Sequence, residues 1–435
     1  MKIFSLITLL GLSLFLSASE LTLQDARALL LSNNLELQAA EASSQASANS
    51  ETASLYNLFP QASLTSSCSR SEAENTSPDN RYGYGVNISQ NIFSGGKYWL
   101  SYKIAGLNSD LEKQKYLQTR FRLLAELESN FYNLLKAEEM LKLAELNNKS
   151  AVELQKIALI RFQADNLAEA DYLQFESQKA NREIELVQAQ NELLIQSRQM
   201  QMLLSLEYLP KAVSPEIKDW LNEIEEISRL DLNDISALIE AMNLYLQKVN
   251  PELVSTNIEK EIAAKSKLIS LGEFLPKLSL NWSWNNSAEN LEDDFNESRQ
   301  LSLNFSIPLL PAGSNLYNYK QKCREFESVS LSNASQLLEA ELEMQQTIYA
   351  LLTNARSYKA AQISLTAAQQ TYELNQDRFK RGIISSTDLL TSEIQFVSAQ
   401  HNLTEKLYDF QNNKTVLKQL LLIETDENLW QIFEL

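Results

Sequence analysis

Two runs of alternating apolar and polar residues lie between residues 278 and 307. The first run has apolar side chains at every second position, at Leu278, Leu280, Trp282 and Trp284, with uncharged Ser and Asn between them. An acidic segment, 286–299, follows, and the alternation then returns at Leu301, Leu303, Phe305 and Ile307. A period of two on both sides of a polar segment predicts a β-hairpin with one apolar and one polar face.

Two environments fit such a hairpin. In a soluble protein the apolar face would be buried under a helix or in a sandwich with a second sheet. A polar face without charges, and an apolar face that ends in Trp near the loop, are instead typical of a strand that faces lipid in a transmembrane β-barrel. We favour the membrane interpretation, in which the Ser and Asn face lines a water-filled channel.

The chain contains one unit twice. Phe59-Pro60 recurs as Leu275-Pro276, and Arg161-Phe162 recurs as Arg378-Phe379 with the same spacing apart from one inserted residue. Matches that keep this spacing from residue 59 to residue 162 of the first copy indicate an internal duplication. The boundaries that it predicts are a first repeat at 20–206, a connection at 207–234, a second repeat at 235–424 and a C-terminal tail at 425–435.

The first repeat therefore needs a hairpin of its own. Its clear strand alternates Tyr82, Tyr84, Val86 and Ile88 with Gly, Asn and Ser, whereas the partner strand, Ala62–Cys68, is nearly all Ser and Thr and is assigned from the repeat alone. The predicted strands are about 60–70, 82–93, 276–286 and 299–309. The side chains expected to face lipid are Leu280, Trp282, Trp284, Leu303, Phe305, Tyr84, Val86 and Ile88.

Four strands are too few for a membrane barrel. The smallest transmembrane barrels have about eight strands, and an open sheet edge leaves backbone groups unpaired in lipid. Several copies of the chain must therefore pool their strands if the hairpins are embedded in a membrane.

Long helices account for most of the remaining chain. The stretch from Gly96 to Arg161 and the equally long stretch from Gly313 to Arg378 contain no proline and carry apolar residues at coiled-coil spacing. Each such helix would extend roughly 100 Å. The stretches Glu20–Asn57 and Asp171 to about Leu206 predict helices of roughly 55 Å, so two stacked short helices could pair antiparallel with one long helix. An ordinary coiled coil or helical bundle is the alternative.

Composition and the N-terminus narrow the function. Lys2, the apolar run Ile3–Leu16 and the small residues Ser17-Ala18-Ser19 predict a secretory signal peptide at 1–19. A net charge of −18 argues against binding nucleic acid through its phosphates. We expect neither an enzyme nor a metal or other cofactor, because the sequence offers no triad, no Gly-rich phosphate loop and only one histidine, His401. Cys68 and Cys323 fit either a disulfide or free thiols.

A turn motif separates each long helix from the short helix after it. In the second repeat Gly382 can end the long helix in the left-handed conformation, and Ser385 with Asp388 has the spacing of a capping box. In the first repeat Asp165 occupies the glycine position, so that turn must be made differently or with strain. Asp171 corresponds to Asp388, and the simpler interpretation of both aspartates is helix capping.

These features together resemble the TolC-like outer-membrane efflux proteins. The resemblance is carried by the signal peptide, the duplicated unit, the Phe-Pro or Leu-Pro before each first strand, Ile92-Phe93-Ser94-Gly95-Gly96, and the turn that runs from Arg378 to Leu390. It implies a mainly α fold with a transmembrane β part, in which a homotrimer forms a 12-stranded β-barrel continuous with a long periplasmic α-barrel. The implied function is a passive exit duct in the outer membrane for a tripartite efflux or type I secretion system.

The resemblance also implies partners and site residues. The duct would be opened by a periplasmic adaptor protein and an inner-membrane transporter, with outer-membrane lipid around the barrel. Asp388 and Asp171 would gate the periplasmic tip, and the adaptor would dock on tips formed by Arg378, Gly382, Arg161 and Asp165. Thr391 stands where some family members have a second acidic residue, which would make any acidic constriction thinner. The alternative from another class is a periplasmic coiled-coil scaffold without a pore.

Overall fold

A computed structural model describes residues 20–71, 79–214, 217–289, 294–308, 313–426 and 429. The predicted signal peptide and most of the predicted C-terminal tail lie outside these residues. The elements, in chain order, are β1 Glu20–Leu21, α1 Leu23–Asn33, α2 Leu35–Tyr56, β2 Gln61–Ser71, β3 Asp79–Ser94, α3 Lys97–Gln163, α4 Glu169–Leu203, β4 Lys211–Ala212, α5 Ile217–Arg229, α6 Leu232–Val249, α7 Pro251–Gly272, β5 Lys277–Ala288, β6 Asn296–Ser306, α8 Ser314–Lys380 and α9 Ser386–Leu420.

The duplicated order of helix, hairpin, long helix and helix is confirmed. Each long helix, α3 and α8, has 67 residues, and each following helix, α4 and α9, has 35. These stretches are rich in Leu, Ala, Glu, Gln and Lys, which favour helix, and they contain no proline. Among the described residues, none of the helices combines the length and the low polarity needed to span a membrane.

The expectation of one helix over Glu20–Asn57 is wrong, because the chain breaks at Asn34 between α1 and α2. Asn34 has an extended backbone, with φ −69° and ψ 120°. The second repeat breaks at the equivalent Asn250, whose side-chain oxygen accepts hydrogen bonds from the N–H groups of Glu252 and Leu253 at 3.0 and 3.3 Å. Pro251 then begins α7. An asparagine that caps a new helix offers the backbone an alternative to continuing the previous one.

The two hairpins form one antiparallel sheet in the order β2-β3-β5-β6. β3 and β5 therefore join the repeats, with Val86 opposite Trp284 and Ile88 opposite Trp282. The strands extend further into the polar segments than predicted, to Ser71 in β2 and to Ala288 in β5. The added end of β2 is exposed and polar, whereas β5 ends at the buried Ala288. The two cysteines are free.

The described residues within 20–35, 121–242 and 344–429 form one compact unit, and those within 36–120 and 243–343 form another. In the first unit, α5 buries Trp220, Ile224 and Ile227. The Trp220 ring packs edge-on against Tyr132 and Tyr408, with ring centroids 5.5 and 6.1 Å away. Much of the predicted connection at 207–234 is therefore a packed helix, and α6 begins within it at Leu232.

A network of charged groups lies inside the same unit. Its members are Arg27, Lys414, Lys418, Glu128, Glu223 and Asp426. Lys414 is fully buried, and its Nζ lies 2.7 Å from carboxylate oxygens of both Glu223 and Asp426. Three cations balance three carboxylates, which compensates much of the cost of removing them from water. Burial alone would lower the pKa of Lys414, but the two carboxylates outweigh it and raise that pKa.

Candidate functional site

The four-stranded sheet has one apolar face. Residues paired across the strands share a face, and the register puts the eight predicted lipid-facing residues together on one side. Leu64 of β2 joins them opposite Val86, although its own strand alternates too poorly to reveal it. The side chains of Leu301, Leu303 and Phe305 are 68%, 62% and 64% exposed. The described structure therefore does not bury this face, as the sandwich alternative would require.

The opposite face is polar and, over its central rows, uncharged. The residues that form it are Ser63, Thr65, Ser67, Gly83, Gly85, Asn87, Ser89, Ser279, Asn281, Ser283, Asn285, Gln300, Ser302 and Asn304. Gly85 is favoured there because a Cβ on it would lie 2.6 Å from the backbone carbonyl oxygen of Trp284, which cannot move without shifting the strand. One face suits lipid and the other suits water, and the outer edges of β2 and β6 pair with no other described strand.

The second part of the candidate site is the pair of turns after the long helices. In the second turn Gly382 has φ +75°, and its N–H donates to the Phe379 carbonyl at 2.8 Å. The predicted capping box is present: Ser385 Oγ accepts from the Asp388 N–H at 3.1 Å, and the Asp388 carboxylate accepts from the Ser385 N–H at 3.3 Å. Asp388 and Arg378 are exposed.

The first turn has the same backbone form without glycine. Asp165 has φ +55°, its N–H donates to the Phe162 carbonyl at 3.0 Å, and the Asn166 N–H donates to the Arg161 carbonyl at 2.9 Å. The sequence left two possibilities for this turn, a different backbone form or a strained one. The second is what occurs, because Asp165 adopts the left-handed conformation although it is not glycine. Ala168 takes the cap position of α4 and gives no side-chain hydrogen bond, so Asp171 forms no capping box.

Arg161 links the two turns. Its Nη1 donates to the Phe379 carbonyl at 2.8 Å, and its guanidinium carbon lies 4.7 Å from the centre of the Phe379 ring. A Cβ on Gly382 would lie 3.4 Å from Nη2 of Arg161, an ordinary contact, so the positive φ of Gly382 rather than its proximity to Arg161 favours glycine there. Arg161 is one of the predicted docking residues, and in the structure its Nη1 donor bonds to the neighbouring turn.

An apolar cluster holds the helix ends beneath the turns. It contains Leu154, Ala158, Phe175, Tyr372, Phe379, Leu389 and Leu390. The Phe175 and Phe379 rings lie 5.4 Å apart, and Phe162 stacks on Tyr172 at 5.3 Å. The turns are therefore seated on a shared core and connected by Arg161.

A buried ion pair lies further along α4 and α9, and no local pattern in the sequence predicts it. Arg182 Nε donates to Glu393 Oε1 at 3.3 Å, and the two residues are 5% and 2% exposed. Burial raises the pKa of Glu393, while the Arg182 guanidinium opposes that rise. Glu393 is the repeat equivalent of Glu176, which is exposed and accepts from the Tyr172 hydroxyl at 3.2 Å. His401 is half-buried nearby, and burial lowers its pKa.

Among the described residues, no three His, Cys, Asp or Glu side chains form a group that could hold a metal ion.

Comparisons with known proteins identify the relatives of the chain. The family model described as "Outer membrane efflux protein" matches residues 26–205 and 248–421. The alkaline protease secretion protein AprF of Pseudomonas aeruginosa is 23% identical over 164 residues, which cover 37% of this chain and only 34% of that protein. The crystal structure of CusC has a TM-score of 0.81 at 17% identity, over 94% of this chain and 95% of that one. The Campylobacter jejuni CmeC outer membrane channel has a TM-score of 0.79 at 19% identity, over 95% and 89%.

Proposed function

The chain belongs to the outer membrane efflux protein family, and on that basis we propose that it is the passive outer-membrane exit duct of a tripartite efflux or type I secretion system. The observation that carries the proposal is the two-faced sheet. Its apolar face is exposed and its polar face lacks charge along the central rows. Such a sheet fits a wall with lipid on one side and water on the other.

The unpaired edges of β2 and β6 support an oligomer. Backbone N–H and C=O groups that face lipid without partners cost several kcal/mol each, roughly. In a closed ring, β6 of one copy would pair with β2 of the next and remove both edges. We propose a homotrimer, in which twelve strands form the barrel and the long helices form the wall of the periplasmic part of the duct.

The paired turns are the proposed periplasmic tip. Opening would require the helix ends to shift against each other, and the contact between Arg161 and the Phe379 carbonyl would have to break as they do. Asp388 is exposed and lies in the first turn of α9, so three copies around one axis would attract cations and repel anions. Asp171 is half-exposed in the equivalent position of α4.

The adaptor would dock on the exposed outer parts of the turns. Arg378, Gly382 and Asp165 are exposed, whereas Arg161 is half-buried against its neighbour. Arg161 would then act on docking by fixing the shape of the turns. The inner-membrane transporter supplies the energy, and this chain contributes a conduit without a catalytic step.

Single-channel recording tests the duct and the gate together. Purified protein should run as a trimer in detergent and conduct ions in a planar bilayer. Asp388→Asn keeps a side-chain oxygen for the cap and removes the charge, so the cation preference should fall. Asp110→Asn, which removes an exposed carboxylate from α3 that is paired with Lys113, is the matched control and should leave selectivity unchanged. A monomer without conductance would refute the duct, and unchanged selectivity of Asp388→Asn would remove that residue from the gate.

A further inference from the structure

All four junctions between helix and strand lie at the same end of the sheet. β2 and β5 begin there and β3 and β6 end there, because the hairpins are antiparallel. Each junction exposes a large apolar side chain: Phe59, Trp99, Leu275 and Tyr317 are 55%, 54%, 45% and 69% exposed. These four residues, the apolar band, lie at the end of the sheet where its apolar face has its last paired row, Phe93, Leu278 and Phe305.

Two lysines lie over aromatic rings in this band. The Nζ of Lys103 lies 4.9 Å from the centre of the Trp99 ring and 5.6 Å from that of Tyr102. The Nζ of Lys320 lies 5.3 Å from the centre of the Tyr317 ring. Lys103 and Lys320 occupy equivalent positions of the duplicated unit. Each repeat therefore presents a lysine over an aromatic ring in the first two turns of its long helix, although the rings themselves stand at non-equivalent positions.

Neither of these lysines forms an ion pair with any residue that the structure describes. Their neighbours do: Lys113 lies 2.9 Å from Asp110, and Lys322 lies 2.6 Å from Glu325. The chain contains 56 acidic and 38 basic residues, so carboxylates are plentiful, yet the two ammonium groups over the rings contact none of those described. An exposed cation that lies over an aromatic ring and has no carboxylate partner among the described residues is suited to an anion supplied from outside the chain.

The proposed duct has this end of the sheet in the headgroup layer of a phospholipid leaflet, and we propose that Lys103 and Lys320 there bind the phosphates of anionic phospholipids. The inference deepens the proposed duct and rests on it. Aromatic side chains concentrate at the boundary between hydrocarbon and water, and lysine stems extend along apolar surface to place the ammonium group among headgroups. The position of the band at the end of the proposed lipid-facing sheet favours phospholipid over a second protein.

Binding of phosphatidylglycerol to the full-length oligomer tests the proposal. The double variant Lys103→Gln/Lys320→Gln is compared with wild type by native mass spectrometry, with phosphatidylcholine as the uncharged reference lipid. A lysine near a membrane surface contributes about 1 kcal/mol, so affinity for phosphatidylglycerol should fall about fivefold for each lysine removed. Affinity for phosphatidylcholine should stay constant.

The matched control is Lys113→Gln/Lys322→Gln, which removes one lysine from each of the same helices but takes lysines that already have carboxylate partners. It should bind phosphatidylglycerol as wild type does. Unchanged phosphatidylglycerol affinity in Lys103→Gln/Lys320→Gln would overturn the lipid site. If the wild-type protein still conducts ions, the proposed duct is unaffected by that result. The lipid site would also be overturned if that variant loses its oligomeric state and keeps its affinity for phosphatidylglycerol. The lysines would then contact a carboxylate of another copy. Absence of conductance in wild type would overturn the duct and the lipid site with it.

Discussion

Gly272, the last residue of α7, touches the loop that leads into α3. A Cβ on Gly272 would lie 2.2 Å from the carbonyl oxygen of Gly95 and 3.1 Å from its carbonyl carbon. Gly95 is buried, has φ +62°, and would itself place a Cβ 2.1 Å from the Gly272 carbonyl oxygen. The two backbones therefore approach so closely that neither residue can carry a side chain without movement.

Helix propensity and packing predict opposite signs for Gly272→Ala. Alanine is favoured over glycine by up to about 1 kcal/mol within a helix. The clash is with backbone atoms, so the helix end and the loop must separate by about 1 Å, and overpacking of this kind costs about 1–3 kcal/mol. We expect packing to win, with a net loss of about 1–2 kcal/mol in the free energy of unfolding.

Gly106→Ala is the matched control. Gly106 is also a helical glycine, in α3 and in the same compact unit, but its nearest atom to an added Cβ is the end of the flexible Glu51 side chain at 3.1 Å. The glutamate can rotate away, so Gly106→Ala should be neutral or stabilise by up to about 1 kcal/mol. Comparing the two variants separates the effect of helix propensity from that of the backbone contact.

Thermal melting followed by circular dichroism at a fixed scan rate measures both variants in detergent. Gly272→Ala should lower Tm by several degrees, at about 2–4 °C per kcal/mol for a unit of this size, and Gly106→Ala should hold or raise it. An equal increase in Tm for both variants would refute the reasoning, because propensity alone would then account for the data.

Three further predictions follow from the caps, the charge network and the link between the turns. Ser385→Ala should cost about 1 kcal/mol in chemical unfolding by removing the hydroxyl that caps α9, whereas Ala168→Ser should stabilise by about 0.5–1 kcal/mol by supplying the missing cap of α4; effects of the same sign would contradict this. Burial favours a raised pKa for Asp426, but Lys414 and a second ammonium group on α9 hold that pKa well below its usual value. The resulting stability is present above about pH 4 and is lost as the pH falls toward the folded-state pKa. Asp426→Asn should therefore lower Tm at neutral pH and make Tm fall less steeply as the pH is lowered. A fall in Tm as steep as that of the wild type would exclude this role. Arg161→Met keeps an apolar stem but removes the donor to the neighbouring turn, so single-channel recording should show a larger open fraction, and an unchanged fraction would separate that hydrogen bond from gating.

The sequence predicted most of the architecture because the relevant signals are local or periodic. Alternation at every second residue identified the apolar faces of β3, β5 and β6, and the constant offset supplied β2, whose own pattern was too weak. The spacing of Gly382, Ser385 and Asp388 predicted the second turn and its capping box. The proposed roles of Asp388, Asp171 and the docking residues stay predictions, because they depend on how copies and partners assemble.

Local signals alone were less reliable where an isolated residue had competing roles. Asn34 fits within a helix by composition, but as a cap it interrupts the expected Glu20–Asn57 helix. Asp165 carries no glycine signal and still adopts the left-handed turn, since one strained residue costs only about 1–2 kcal/mol against the packing of the helices around it.

By itself the sequence determined the duplicated unit, the four strands, the two-faced pattern of the hairpins, and the length of the two long helices and of the helix that follows each of them. Only the tertiary structure decided which equivalent residues take different roles. Glu393 is buried against Arg182 while Glu176 stays exposed, Arg161 bonds to the opposite turn while Arg378 is exposed, and Lys414 and Lys418 share carboxylates from distant segments. These outcomes depend on which helices pack together, because burial and a charged partner far away in sequence leave no periodic trace in the chain.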